Sequence, residues 1–240
     1  MNKKFYEFKN IAENEYSLYV YGEIVDEKWY NSDVDITDFT NALSGIPSGA
    51  TLNIYINSVG GNVFATSGMT SVLQRAKDRG VHIAAYIDGL AASCASWLAM
   101  AADTINIYKN SVMMIHKPMV MSYGNANDLE KDIEVLNKIE DGVIIPIYEA
   151  KSKCDRKKLK DMMTAETWLT AGEIQEHFNV NLIDEEKKVE NIKSDLFNTY
   201  KNTPKEFKQA EKPVKSKEEQ PQVDYSDYEN ILKELKGGKK

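Results

Sequence analysis

An α/β fold, built on a largely parallel sheet covered by helices, is what this sequence predicts. Three observations carry that expectation. Short apolar, β-branched segments alternate with helix-period segments from Tyr16 to Ile115. The joints between them carry glycine, at Gly60-Gly61, Gly80 and Gly89. A long amphipathic stretch then follows from Asn127. Alternation of this kind is βαβ logic, in which each crossover helix returns the chain to a parallel neighbour.

Taken in order, Tyr16–Val25 (YSLYVYGEIV) reads as a first strand or hairpin arm. Asp35–Leu43 reads as a helix with Asp35 or Thr37 near its start. Thr51–Asn57 is a strand, Ser58–Gly61 a glycine-rich turn, and Val63–Asp78 a helix that Gly80 stops. Val81–Ile87 is a second buried strand, and Asp88–Leu90 turns into a small-residue helix over Ala92–Ala102. Thr104–Tyr108 and Val112–Ile115 are short strands. In Asn127–Lys151 the residues Leu129, Ile133, Leu136, Ile139, Val143 and Ile147 recur at helical spacing, with a kink expected at Pro146. The stripe is wider than one buried face needs, which predicts an interface. The body is expected to end with Asn179–Asp184.

Composition narrows the function. At 240 residues with 42% apolar content, the chain holds one packed domain and a tail. The net charge of −7 with no basic patch in the body argues against nucleic acid as a partner. Two cysteines, Cys94 and Cys154, lie far apart and suit neither a disulfide scaffold nor a paired metal site, so no metal and no cofactor is expected. The amino-terminal segment lacks an apolar leader, and no apolar run reaches the ~18–20 residues of a membrane span, so a cytoplasmic protein without a membrane partner is expected. The domain is placed at residues 1–188 and a charged, mostly disordered tail at 189–240. Residues 201–240 hold ten Lys, eight Asp or Glu and three of the six Pro, too little apolar surface to offset the entropy of ordering. Within that tail Tyr225–Leu235 has the pattern of an amphipathic helix for a partner.

Three features could carry chemistry: Gly60-Gly61 after a strand, Gly89-Leu90-Ala91-Ala92-Ser93 at a strand-to-helix turn, and Met114-Ile115-His116-Lys117-Pro118 at a strand end. A serine hydroxyl needs a base to take its proton and N–H donors for the oxyanion it generates. Ser93 at the mouth of a helix, with the Cys94 N–H beside it and a glycine N–H such as that of Gly61 opposite, meets those needs. The plainer alternatives stand beside this: Ser93 as a helix N-cap and His116 as a structural imidazole. His82 lies inside a strand, His177 reads as surface, and Cys94 falls one position into the helix with its thiol directed elsewhere.

Together these segments resemble the proteolytic-subunit family of the Clp protease, and within it the Clp-like peptidases of phage and prophage head assembly. The resemblance spans roughly Tyr16 to Asp184. Ile56-Asn57-Ser58-Val59-Gly60-Gly61 is similar to the family's oxyanion loop, with Val59 where proline is usual. Gly89–Ser93 matches the nucleophile motif and Met114–Pro118 the histidine motif. Tyr123–Ala126 and the helix after it resemble the handle segment that joins rings. Leu169–Ile174, running to Asp184, resembles the carboxy-terminal signature. The resemblance implies a Clp/crotonase-like fold of repeated βαβ units with a protruding handle helix. It also implies Ser93 as nucleophile, His116 as base and Glu166, in place of the usual aspartate, as the third member, with Asp161 as the fallback. The implied protein is a serine endopeptidase acting through an acyl-enzyme on protein or peptide substrates. It forms a ring-shaped homo-oligomer and processes phage scaffold or capsid proteins. A catalytically silent ring-forming assembly protein and a crotonase-type acyl-CoA enzyme are the alternatives.

Overall fold

A single strand that forks is the centre of the architecture. In the computed structural model, which describes residues 6–26, 34–189, 192–205 and 207, eight strands form one sheet flanked by helices. Strand β1 (Tyr6–Ala12) pairs antiparallel with β2 (Glu15–Ile24) through a tight turn at Asn14, whose φ is 60. From β2 the sheet runs parallel through β3 (Thr51–Gly61), β4 (His82–Ala92), β5 (Thr104–Tyr108) and β8 (Asn181–Ile183). Strand β4 divides its partners. Ala84–Ile87 pair with β5, and Leu90–Ala92 pair with β6 (Val112–Ile115), which continues antiparallel into β7 (Thr167–Thr170).

The fork has a local cause. Between Ile56↔Ile87 and Ser58↔Ala91, β4 advances four residues while β3 advances two. Asp88–Leu90 thus stand opposite Asn57 alone, in a bulge held by the Asn57 side chain, whose Oδ1 accepts from Leu90 N at 3.0 Å. Asp88–Leu90 and Ser58–Gly61 are therefore irregular strand, not the separate turns that their glycines suggest.

The βα crossovers follow the sequence pattern. Helix α1 (Ile36–Ser44) is capped by Asp35, which accepts from Asp38 N at 2.8 Å. Helix α2 (Val63–Asp78) is capped by Asn62 and buries Ala65, Met69, Val72, Leu73 and Ala76 on one face. Helix α3 (Cys94–Met100) is buried at every position. The core is filled by Leu18, Val20, Leu52, Ile54, Ile56, Ile83 and Ile87 from the strands, against Phe39, Leu73, Trp97 and Leu98 from the helices.

Beyond β6 the expected long helix is present but broken earlier than its proline. Helix α4 (Ala126–Ile139) opens on a capping box between Asn125 and Asp128, passes through a π-helical turn at Glu140–Ile144, and continues as α5 (Ile145–Glu149). Pro146 has no N–H to offer the carbonyl one turn back, so the irregularity lies on the amino-terminal side of the proline. No residue of α4 is buried, and Leu129, Ile133 and Val135 stand exposed. Helix α6 (Arg156–Thr164) and helix α7 (Ala171–His177) complete the body. Among the described residues no helix is long and apolar enough to cross a membrane.

Packing continues past Lys188, where the sequence pattern places the end of the domain. Residues within 192–205, with Phe207, pack on the body in a second, smaller core. Phe197 and Tyr200, from and just after the short helix α8 (Leu196–Thr199), bury against Val59, Leu90, Ala92 and Met114, with Trp168 and Phe207 alongside. Charge and proline content conceal this because only a few apolar residues do the packing. Residues 208–240, including the helical pattern at Tyr225–Leu235, lie outside the described residues.

Helix α3 is pinned from below. Ser96 Oγ donates to Ser93 O at 2.6 Å and accepts from the buried Tyr148 hydroxyl at 2.6 Å, tying α5 to the first turn of α3. Tyr148→Phe leaves the ring in place and removes one buried hydrogen bond. It is expected to lower stability by about 1 kcal/mol, read as a shift of the urea midpoint without a change in slope.

Candidate active site

Adjacent parallel strands release their next residues into the same space. Ala92 faces Met114 in the β4–β6 register, and Ser93 N donates to Met114 O at 2.9 Å. Ser93 and His116 therefore emerge side by side at the carboxyl ends of β4 and β6, where open α/β sheets place their binding crevices. The Ser93 Oγ lies 2.7 Å from His116 Nε2.

Backbone geometry decides between the two readings of Ser93. It sits at φ 54 and ψ −128 and makes no side-chain cap hydrogen bond to α3. A capping serine has extended backbone and bonds the N–H groups of the first turn. Here the strained turn holds the hydroxyl out of reach of those groups and against the imidazole. Sharp strand-to-helix turns that expose a serine have this character. Gly60 makes room for this turn. A Cβ added there would lie 2.6 Å from Ala92 O and 2.7 Å from Ser93 Cβ. Gly61 is equally constrained, since its Cβ would lie 2.0 Å from Ile24 O. Both glycines have positive φ, 92 and 145. The Val59 carbonyl accepts from the Tyr200 hydroxyl at 2.8 Å.

The surroundings are apolar. A cleft of about 320 Å³ is lined by Gly61, Val63, Ser93, Trp97, His116, Pro118, Met119, Val120, Met121, Ile144, Leu196, Thr199 and Tyr200. Burial holds the His116 imidazole well below its ordinary value, at about 4, against the opposing pull of the Glu166 charge. Burial likewise pushes the Cys94 thiol up to about 12, so it stays protonated and inert beside Ser93. Next to His116, Lys117 pairs with the buried carboxylate of Glu140 at 2.9 Å, joining the end of β6 to the π-helical turn. Among the described residues no group of three or more His, Cys, Asp or Glu converges to hold a metal.

The structure brings Ser93, His116 and Gly61 to one cleft, and Cys94 follows Ser93 as the first, buried residue of α3. It does not join either carboxylate to the histidine. The only hydrogen-bond partner of His116 among the described residues is Ser93. Glu166 is buried, at φ 50, and its carboxylate accepts from Lys201 N at 2.9 Å and Asn202 N at 2.6 Å, with Trp168 Nε1 at 3.4 Å. Asp161 is exposed on α6 and pairs with Lys157 at 2.6 Å. His82 lies near Asp103 and His177 near Cys154, both away from the cleft lining.

Leu196, Thr199 and Tyr200 line the cleft from the segment that the sequence pattern assigns to the tail. The Tyr200 ring meets His116 edge-on at 5.2 Å between centroids, and Trp168 stands 6.3 Å from Tyr200. Phe207 stacks between Trp168 and Phe197, 5.7 Å from each. The available signal was the aromatic spacing Phe197, Tyr200 and Phe207 inside a charged segment.

Glu166→Gln weakens a charged acceptor that holds two main-chain amides. Such bonds contribute about 1.5–3 kcal/mol, so amide exchange at Lys201 and Asn202 should quicken by roughly tenfold or more. Asp161→Asn should leave that exchange unchanged, because its carboxylate touches only an exposed lysine.

Comparison with known proteins gives this geometry a family. The Clp protease family model matches residues 4–206. The chain is similar to the ATP-dependent Clp protease proteolytic subunit of Bacteroides thetaiotaomicron, 30% identical over 145 residues, which are 60% of this chain and 63% of the relative. It is 29% identical over 148 residues to the protein of that name from Porphyromonas gingivalis, covering 61% of this chain and 65% of the relative. In Salinibacter ruber the similar protein is ATP-dependent Clp protease proteolytic subunit 1, at 29% over 148 residues and 60% of each chain. The matched region thus spans a little under two thirds of the length of the first of these relatives. With the family model covering most of its length, the chain belongs to the Clp protease family.

Proposed function

We infer that this chain is a serine peptidase that cleaves peptide bonds through an acyl-enzyme, with Ser93 as nucleophile and His116 as general base. The observation that carries the reading is the 2.7 Å contact of Ser93 Oγ with His116 Nε2, at a strained turn beside an apolar cleft. Membership of the Clp protease family supports it.

The chemistry follows from the geometry. Nε2 takes the hydroxyl proton as Oγ adds to the substrate carbonyl. The oxyanion accepts hydrogen bonds from the backbone N–H groups of Cys94 and Gly61. His116 then returns the proton to the leaving amine, and water repeats the sequence to release the acyl group. Pro118, Met119, Val120 and Met121 offer a substrate an apolar wall. A negative charge near His116 supports the transient imidazolium, and Glu166 is the carboxylate whose charge reaches it.

The finer reading is that the substrates are scaffold or capsid proteins of a phage or prophage head, as the resemblance of Glu166-Thr167-Trp168-Leu169 to phage-type relatives suggests. The exposed apolar face of α4, with Met121 and Tyr123 fully exposed before it, supports a ring-shaped homo-oligomer.

Ser93→Ala removes the nucleophile and should abolish hydrolysis of a fluorogenic peptide, a loss of many orders of magnitude, while oligomeric state is retained. More than trace turnover by the purified variant would exclude Ser93. The pH profile of kcat/KM reports the free enzyme, and the base works only when neutral. With His116 lowered to about 4, the rate should stay flat through the ordinary imidazole range near 6–7 and fall only as pH drops through about 4. An inflection at the ordinary imidazole value would show that His116 is hydrated in the working enzyme. Light scattering should find a multimer, and Leu129→Asp with Ile133→Asp should shift it toward monomer.

A further inference from the structure

The segment that closes over Ser93 and His116 is the feature that the peptidase chemistry leaves unexplained. A substrate carbonyl must reach Ser93 Oγ from the cleft. That cleft is walled on one side by Leu196, Thr199 and Tyr200 of the chain's own carboxy-terminal region. The Tyr200 ring rests edge-on against the His116 imidazole and its hydroxyl donates to Val59 O. Ser93 is left only 9% exposed. The segment also occupies the one buried carboxylate whose charge reaches the imidazole: both Glu166 oxygens accept main-chain N–H groups, from Lys201 and Asn202.

We propose that residues 192–205 are a removable autoinhibitory strap, which covers the Ser93–His116 pair with Tyr200 and keeps Glu166 engaged as its anchor. Withdrawal of the strap opens Ser93 to substrate and frees the Glu166 carboxylate to accept from His116 Nδ1. The proposal rests on the serine-peptidase reading of the site.

Three features fit a part that can leave. Its only helix, α8, is four residues long. Its apolar anchorage is a small core separate from that of the body, made of Phe197, Tyr200 and a few partners. Its polar anchorage is a few single bonds: Ser194 Oγ donates to Glu23 Oε2 at 3.0 Å, the Tyr200 hydroxyl to Val59 O, Lys201 N and Asn202 N to Glu166, and Asn202 Nδ2 to Ala165 O at 2.8 Å, while Glu166 itself is held at a left-handed φ of 50. A side chain kept in that region by its surroundings gains when they release it. The burial that depresses His116 is supplied in part by the Tyr200 ring, so the covered imidazole is a base that resists the positive charge it must take on.

The test is the rate at which a fluorophosphonate labels Ser93 in the full chain, with peptide mapping to locate the label and Ser93→Ala as the blank. Tyr200→Ala removes the cover, and Asn202→Pro removes the N–H that donates to Glu166. Both should label roughly tenfold or more faster than wild type, the change expected when a covered site becomes mostly open. Unchanged or slower labelling of both variants, beside Ser93-dependent labelling of the wild type, overturns the strap and makes the segment part of the working site. No Ser93 label in any protein overturns the nucleophile instead. A measurement on unmutated protein guards against misfolding of the variants. Once the wild type is phosphonylated at Ser93, amide exchange at Lys201 and Asn202 should rise roughly tenfold or more, because the adduct and Tyr200 compete for one space. Unaltered protection of these two amides in the adduct overturns the strap.

Discussion

The register of β4 against β6 is the constraint on which the site depends. Leu90, Ala91 and Ala92 pair with Val112, Met113 and Met114, and one further main-chain bond fixes Ser93 N to Met114 O. Each strand then ends, so the next side chains meet without any long-range adjustment. A one-residue slip would turn Ser93 and His116 to opposite faces, because the strand period is two. The bulge at Asp88–Leu90 makes this register possible, since it lets β4 leave β5 and join β6 without breaking its ladder to β3. Asn57 holds the bulge through a single buried acceptor. Ser93 is thus positioned by a side chain that lies outside the cleft lining.

Packing turns that register into strain at Ser93. Gly60 lies so near Ala92 O and Ser93 Cβ that no larger residue fits, and Ser96 and Tyr148 hold Ser93 O from the other side. Residues kept at φ near +50 cost about 1–3 kcal/mol and persist only where the surroundings over-determine them. Ser93 and Glu166 both have this geometry, at φ 54 and 50, and both face the same histidine environment. Asn14, at φ 60, is a plain hairpin turn, which asparagine tolerates well.

Local pattern carried much of this to the reader of the sequence. Val63–Asp78, Thr104–Tyr108 and Val112–Ile115 have the bounds the sequence implies: the first buries one face, the second alternates, and the third is a short apolar run buried at its last three positions. Ser93, His116 and Gly61 were legible because the motif residues sit at element ends. What was not legible depends on tertiary contact. The β4 bulge looks like a turn, since its glycine has no local sign of the β6 pairing that continues the strand. The strand β7 (Thr167–Thr170) lacks a long apolar run because only Leu169 among its residues is fully buried. The packing of Phe197 and Tyr200 was hidden by the charged residues around them. A few aromatic rings suffice to dock a segment when a groove is already built for them.

The carboxylate question turns on competition, not on distance alone. A histidine base gains from a carboxylate at its second nitrogen, which fixes the tautomer and offsets the imidazolium charge. Glu166 exerts an attractive influence on His116, yet burial outweighs it and the imidazole remains near 4. The drop from 6.5 corresponds to about 3 kcal/mol against forming the imidazolium. Two amide hydrogen bonds to a buried carboxylate are of the same order. The energy that ties Lys201 and Asn202 to Glu166 is therefore comparable with the energy by which His116 is disadvantaged as a base.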